Sequence, residues 1–253
     1  MGHTIKVRGR NEGIHDAHLC IQTGFSNSVA LEDAINKRIP FIIMEAPHWR
    51  SLSLDEWVSW GYNGLAGGAF RHKPPDTPRP KPVLQPWKTE GSVVIFGQKP
   101  TDHSLRGADH GAWLSEKLNQ YPDAEFRPHP LMSPTPLEPI EAVLDRCKMA
   151  ITYTSTTGAE ALIAGCESKP EHPGSTAHDV QDRESWLHDL SWGHFALDEF
   201  GRIGAKHIIG GYDEAVARME YCMYERPRAR VNAQETDRSY YAALEAWGHR
   251  TRG

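Results

Sequence analysis

The sequence predicts an α/β protein with a parallel sheet in its C-terminal part, and three observations carry that expectation. Over residues 92–165, short apolar segments alternate with segments of helical period. The first strand in that alternation, SVVIFG, is apolar throughout rather than at every second position. A shorter strand–helix–strand unit at 19–45 is separated from them by a run, 74–86, in which six residues are proline. Strands alternating with helices imply βαβ units and parallel pairing, and a strand covered on both faces has no polar side to show.

In the first unit, LCIQT (19–23) reads as a strand. NSVALEDAINKR (27–38) reads as a helix because Val29, Ala30, Ala34 and Ile35 recur at helical spacing, and FIIME (41–45) is a second strand after the helix stop at Pro40. In the second unit SVVIFG (92–97) is a strand, 108–120 a helix, AEFR (124–127) a strand and LEPIEAVLDRC (137–147) a helix. KMAITYT (148–154) follows as a strand and TTGAEALIAG (156–165) as a helix closed by Gly165. Beyond residue 174 the pattern turns helical, near 176–193, 212–225 and 235–247. No strand or helix propagates through the proline-rich run, so the domain boundary falls there: 1–88 as one lobe with its linker, 89–253 as the second domain.

Composition narrows the class. Of 253 residues 39% are hydrophobic and 24% charged, which suits a globular chain with a buried core. No apolar run approaches the roughly 20 residues that cross a bilayer, and the N-terminus has neither a secretory core nor a myristoylation pattern, so a cytoplasmic protein without membrane partners is expected. Cys20, Cys147, Cys166 and Cys222 form no C-x-x-C pair, which excludes a zinc ribbon and fits a reducing compartment. A net charge of −5 opposes nonspecific coating of nucleic acid.

In an open parallel sheet ligands bind beyond the carboxyl ends of the strands, so the loops after each strand are where chemistry is expected. After SVVIFG come Gln98, Lys99, Pro100 and Thr101. After AEFR comes Arg127-Pro128-His129-Pro130, in which two prolines fix the backbone around one imidazole able to donate to phosphate or act as an acid. After AITYT stand Ser155, Thr156, Thr157 and Gly158, where a helix start offers unpaired N–H groups to an anion; an ordinary hydroxyl N-cap is the plainer account. Glu160, on the first turn, suits either a ribose diol or a capping role. Ser175 lies in a further small-residue turn, PGSTA. The Arg71, His72, Lys73, Arg79, Lys81 and Lys88 cluster near Phe70 and Trp87 reads as a basic surface or as a solvated spacer. No H-E-x-x-H, G-x-S-x-G, Walker or dinucleotide fingerprint occurs.

At these residues the chain resembles glycosyltransferases of the GT-B type. More narrowly it is similar to the bacterial capsule, Kdo and sialyl transferase-like group and to the small TET-associated, DNA-modifying glycosyltransferases that phages carry. The carriers are SVVIFGQKPTDHSL, FRPHPL, ITYTSTTGAEALIAG with PGSTAHDV, and WLHDLSWGHFALDEF, over residues 90–205, with IIMEAPHWRSLSLDEWVSWGYNGLAGG earlier. The resemblance implies a Rossmann-like nucleotide-sugar domain, a reduced N-terminal α/β lobe on the acceptor side and a helical C-terminal segment. It implies no metal and no cofactor other than the nucleotide-sugar co-substrate. Donor-side residues would be Gly97, Gln98, Thr101, Arg127, His129, Ser155, Thr156, Thr157, Gly158, Glu160 and Ser175. Catalytic candidates are Glu45, His48 and His129, with Asp16 behind them, and acceptor-side candidates are Arg50, Asn63, Arg71 and Lys73. The phage-type relatives point to a 5-hydroxymethylated pyrimidine in DNA as acceptor, with Trp57, Trp60 and Trp87 as stacking surfaces, in the host cytoplasm if the protein is phage-encoded. The alternatives are a saccharide acceptor, a nucleotide-binding module without transferase activity, and a sugar-nucleotide epimerase.

Overall fold

The computed structural model of the protein describes residues 13, 20–23, 29–39, 41–49, 57–62, 79–100, 105, 108–173, 175–196, 240–243 and 245. Within them the chain forms β1 (Cys20–Thr23), α1 (Val29–Asn36), β2 (Phe41–Glu45) and β3 (Trp57–Tyr62). It continues as β4 (Ser92–Phe96), α2 (His110–Gln120), β5 (Glu125–Arg127), α3 (Ile140–Arg146), β6 (Cys147–Thr152), α4 (Thr157–Ile163) and β7 (Glu167–Pro170). Last come α5 (Arg183–Ser191) and β8 (His194–Ala196).

The strands make two four-stranded sheets, ordered β1-β2-β3-β8 and β5-β4-β6-β7. The second is parallel throughout, so the fold is α/β with a Rossmann-like parallel sheet, as the alternation of its elements predicts. The first is mixed: β1 and β2 run parallel, while β3 lies antiparallel to both β2 and β8.

Burial explains why β4 is apolar without alternation. Val94 and Phe96 face one core with Ile140, Val143, Leu144 and Ala161, whereas Ile95 faces the other with Trp113, Leu114, Leu118 and Phe126. Each such side chain removed from water contributes about 1.5–3 kcal/mol. Helix α2 is capped at its start by the Asp109 carboxylate, which accepts the Ala112 N–H at 3.0 Å.

Three strands lie outside the sequence expectation. β7 carries alternately exposed and half-buried residues at the sheet edge, so it lacks an apolar run. β3 and β8 pair with partners far away in sequence, and β8 returns to the first sheet after the second is complete. The first sheet therefore takes one strand from beyond residue 88. The helix expected over 176–193 is shorter, because α5 begins only at the Asp182 cap. The helix expected near 212–225 and Cys222 lie outside the described residues; 240–243 and 245 are helical. Cys20, Cys147 and Cys166 are free thiols and buried. Among the described residues no helix is long and apolar enough to cross a membrane.

The described part of the proline-rich run is a strap fastened to the end of α4. The last carbonyls of a helix have no partner within it, and here the Gln85 N–H donates to Ile163 O at 2.9 Å and the Lys88 N–H to Gly165 O at 2.8 Å. The Arg183 guanidinium donates to Leu162 O at 2.8 Å and to Gln85 O at 3.0 Å, and Lys88 Nζ donates to Leu144 O at 2.7 Å. Arg79 donates to His194 O at 2.6 Å and lies over the rings of Trp192 and Trp57 at 5.0 and 5.9 Å. Arg183 lies 3.7 Å over Trp87. Three members of the expected basic surface, Arg79, Lys81 and Lys88, are thus bound into the fold, Lys81 through an ion pair with Glu184 at 3.8 Å.

Gly165 closes α4 as expected, at φ +82°, and a Cβ there would stand 2.0 Å from the Pro86 carbonyl oxygen. Left-handed strain and the collision with backbone act together, so Gly165→Ala is expected to destabilise the protein by about 2–4 kcal/mol. Urea unfolding of the variant beside the parent measures this.

Candidate active site at the carboxyl edge of the parallel sheet

The order β5-β4-β6-β7 places a switch point between β4 and β6: the chain leaves β4 toward one side of the sheet and returns to β6 on the other. Loops after those two strands diverge, and the place between them is where ligands usually bind in such sheets. The loops after all four strands lie along this one edge, so the structure brings Gly97, Gln98, His129, Ser155, Thr156, Thr157 and Glu160 to the same side of the sheet. Thr101 lies outside the described residues.

Gly97 continues the ladder, its N–H donating to Arg127 O at 2.8 Å. A Cβ at Gly97 would meet the Tyr240 hydroxyl at 3.0 Å and the Phe126 ring at 3.1 Å, so the glycine gives room to packing. Gln98 is buried. Its Oε1 accepts the Thr154 N–H at 2.7 Å and its Nε2 donates to Thr154 Oγ1 at 3.0 Å, bridging the two loops.

His129 is half-buried, and its Nδ1 accepts the Leu131 N–H at 3.2 Å across the 3-10 turn Pro130–Met132. With Nδ1 accepting, the proton of the neutral ring sits on Nε2. Leu131 beside it is exposed. Arg127 turns elsewhere, donating to Glu138 O at 2.7 Å.

The hydroxyl-rich turn differs from an open cradle of N–H groups. Ser155 Oγ accepts the Thr157 N–H at 3.2 Å, Ser155 O accepts the Gly158 N–H at 3.0 Å, and Thr156 O accepts the N–H groups of Ala159 and Glu160. All four amides are used inside the turn, taken by the Ser155 hydroxyl and the Ser155 and Thr156 carbonyls. What this turn offers outward is the Thr156 side chain, exposed and without a capping bond. Gly158 is buried, its missing Cβ filled by Ser168, Ala177 and Thr152 at 3.1–3.2 Å. Glu160 is half-buried on the first turn, with Oε2 enclosed. Ser175 is buried and caps its own turn by accepting the Ala177 N–H at 3.3 Å, so the expectation that it faces this ligand position is corrected.

On the first sheet Glu45 ends β2, half-buried and paired with Ser59. Four residues on, Trp49 is buried in one cluster with Ala159, Leu187 and Leu190, which docks the loop after Glu45 against α4 and α5. His48, expected as a catalytic candidate, is a buried core residue. Its N–H donates to His194 Nε2 at 2.9 Å and its ring stands edge-on to the His194 ring at 5.2 Å. His194 Nδ1 in turn donates to Leu190 O at 2.9 Å. Arg50, Asn63, Arg71, Lys73 and Asp16 lie outside the described residues.

Three neighbours were not foreseen from sequence: Thr154, His110 and Tyr240. Thr154 stood in view as one hydroxyl among several, whereas His110 and Tyr240 carry no local motif. Burial pushes the Tyr240 phenol up to about 12, with Tyr241 adding to the rise and the His129 backbone, which faces the hydroxyl, opposing it. Among the described residues no group of three or more His, Cys, Asp or Glu could hold a metal ion.

No family model and no curated protein sequence matches the chain. Among solved structures it is similar to Thermosulfurimonas dismutans KpsC, a beta Kdo 2,4 transferase, at 15% identity over 79% of this chain and 86% of that one, with a TM-score of 0.42. So remote a likeness fixes no activity, and the chemistry has to be argued from the residues.

His194 makes stability depend on pH. Burial, reinforced by His48 and Arg79 and opposed by the bond to Leu190, holds the ring well below the ordinary imidazole value. The unfolded chain protonates this ring near pH 6.5, so below that value the unfolded state binds more protons and stability falls with pH until the folded ring is charged. The denaturation midpoint should therefore drop between about pH 7.5 and about pH 5. In His194→Gln, which keeps an acceptor for the His48 N–H and a donor for Leu190 O, the drop should be smaller. An equal drop in parent and variant would assign the acid sensitivity elsewhere.

Proposed function

We propose that the chain is a glycosyltransferase that moves a sugar from a nucleotide-sugar donor to a hydroxyl acceptor. The observation that carries this reading is the carboxyl edge of the parallel sheet, where the His129 imidazole follows β5 and the exposed Thr156 hydroxyl follows β6, the two strands that flank β4. Such an edge favours an anionic leaving group: His129 donates a proton or hydrogen bond to the departing phosphate, and Thr156 adds a neutral donor. The likeness of FRPHPL and ITYTSTTGAEALIAG to GT-B-type transferases supports the same assignment.

In the proposed step the acceptor oxygen forms a bond to the anomeric carbon. The bond from that carbon to the phosphate oxygen breaks, its electron pair leaving with the phosphate. The acceptor proton passes to the carboxylate of Glu45, which ends its strand beside the loop that Trp49 docks on α4. Glu160 on the first turn of α4 is the candidate for the donor ribose. His129 and the hydroxyl turn supply the electrostatic part of catalysis without a cofactor beyond the donor itself.

A saccharide is the acceptor this reading favours over a hydroxymethylated base in DNA. The groups a duplex would need for phosphate contact and stacking are engaged within the fold: Arg79 lies over Trp57 and Trp192, Lys88 Nζ donates to Leu144 O, and Arg183 lies over Trp87. Arg71 and Lys73 are the remaining basic candidates for DNA.

His129→Ala and Thr156→Ala should each slow sugar transfer by about 100-fold or more and leave the thermal midpoint near that of the parent. A radiolabelled panel of uridine, guanosine and cytidine sugar nucleotides, offered with mixed oligosaccharides and with hydroxymethylated duplex DNA, provides the assay. Transfer at the parent rate by both variants would move the site elsewhere. Label appearing only in DNA would reverse the choice of acceptor.

A further inference from the structure

We infer that His110 is a positioning residue that sets the shape of the donor-side edge without touching a ligand; this rests on the reading of that edge as the donor site. His110 is fully buried at the first position of α2. Its Nε2 accepts the Gln98 N–H at 2.9 Å. A backbone amide only donates, so Nε2 carries no proton and the ring is neutral.

The ring cannot swing away from this bond. One face stacks on Trp113, with centroids 4.9 Å apart and planes at 17°. Tyr240 stacks at 5.7 Å and 14°, and Tyr153 stands edge-on at 6.3 Å. Such aromatic pairs favour offset-stacked and edge-on geometry beyond the area they bury.

Held in this way, His110 governs both arms of the edge. Through the Gln98 backbone it fixes where the Gln98 amide reaches Thr154, and Thr154 immediately precedes the Ser155 and Thr156 turn. Tyr240, stacked on the same ring, sets its hydroxyl against Gly97 at the start of the Gln98 loop. A misplacement of about 1 Å in a catalytic group costs on the order of 100-fold in rate, so a residue that fixes both loops matters to turnover more than to folding.

Two substitutions separate the ring from the bond. His110→Phe keeps an aromatic face and loses the acceptor; His110→Gln loses the ring and keeps an acceptor oxygen at the reach of Nε2. Amide hydrogen exchange of the full chain reads the 153–158 segment without any ligand. In His110→Phe the Thr154 amide should exchange about tenfold faster, and kcat should fall about 10- to 100-fold with little change in KM. In His110→Gln both should return most of the way to the parent. Should His110→Phe fail to fold, Gln98→Met, which cuts the bridge while leaving the stack intact, must loosen Thr154 in the same way.

Unchanged exchange at Thr154 in the folded Phe variant, or in Gln98→Met where the Phe variant does not fold, would overturn the inference. So would equal kinetic losses in the Phe and Gln variants. If exchange responds as expected while the parent transfers no sugar from any donor, the positioning of the turn stands and the transferase reading falls.

Discussion

The candidate site depends on a double hydrogen bond between two loops that the topology drives apart. At a switch point the chain leaves adjacent strands in opposite directions, and nothing in the backbone ladder holds the loop after β4 to the loop after β6. Gln98 supplies that hold, giving and receiving one bond each with Thr154. Both residues sit above a core of Ile95, Ile151 and Tyr153, where an unpaired amide would cost about 1–3 kcal/mol, so the bridge has no cheap way to open. The bridge between the loops is fixed, and a ligand would have to lie above it.

The two sheets are joined by contacts of a different kind. Arg79 reaches from the strap between the rings of Trp57 and Trp192, His194 ties the loop after β2 to α5, and Trp49 enters the packing beside α4. Each draws on groups from distant parts of the chain that are desolvated together. Together they bring Glu45, from the first sheet, toward the helix that follows the hydroxyl turn on the second. The small mixed sheet is thereby joined to the parallel sheet that carries the hydroxyl turn.

What the sequence revealed follows from what is local. The strands buried on both faces, the helices between them, Gly165 as a helix stop and the placement of His129 and the threonine turn after strands can all be read from periodicity and punctuation. β7 escapes because an exposed edge strand with alternating burial resembles a loop, and β3 and β8 because their pairing is long-range. His48 was misjudged for a similar reason: its partner lies 146 residues away, and no local pattern marks an imidazole that a second imidazole will bury. The amides of 157–160 could not be foreseen either, since the same run of hydroxyl residues can leave a helix start open or turn its own side chain and carbonyls onto those N–H groups, as Ser155 and Thr156 do here.

A titration of isotopically labelled protein, with backbone amide shifts followed as UDP, CMP or GDP is added, tests the placement of the donor group most directly. Saturable shifts concentrated at 97–99, 129–131 and 154–160 are the expected result for at least one nucleotide. Saturable shifts at the opposite edge, around Gly91, Cys147 and Gly165, or no saturable response to any of the three, would contradict it.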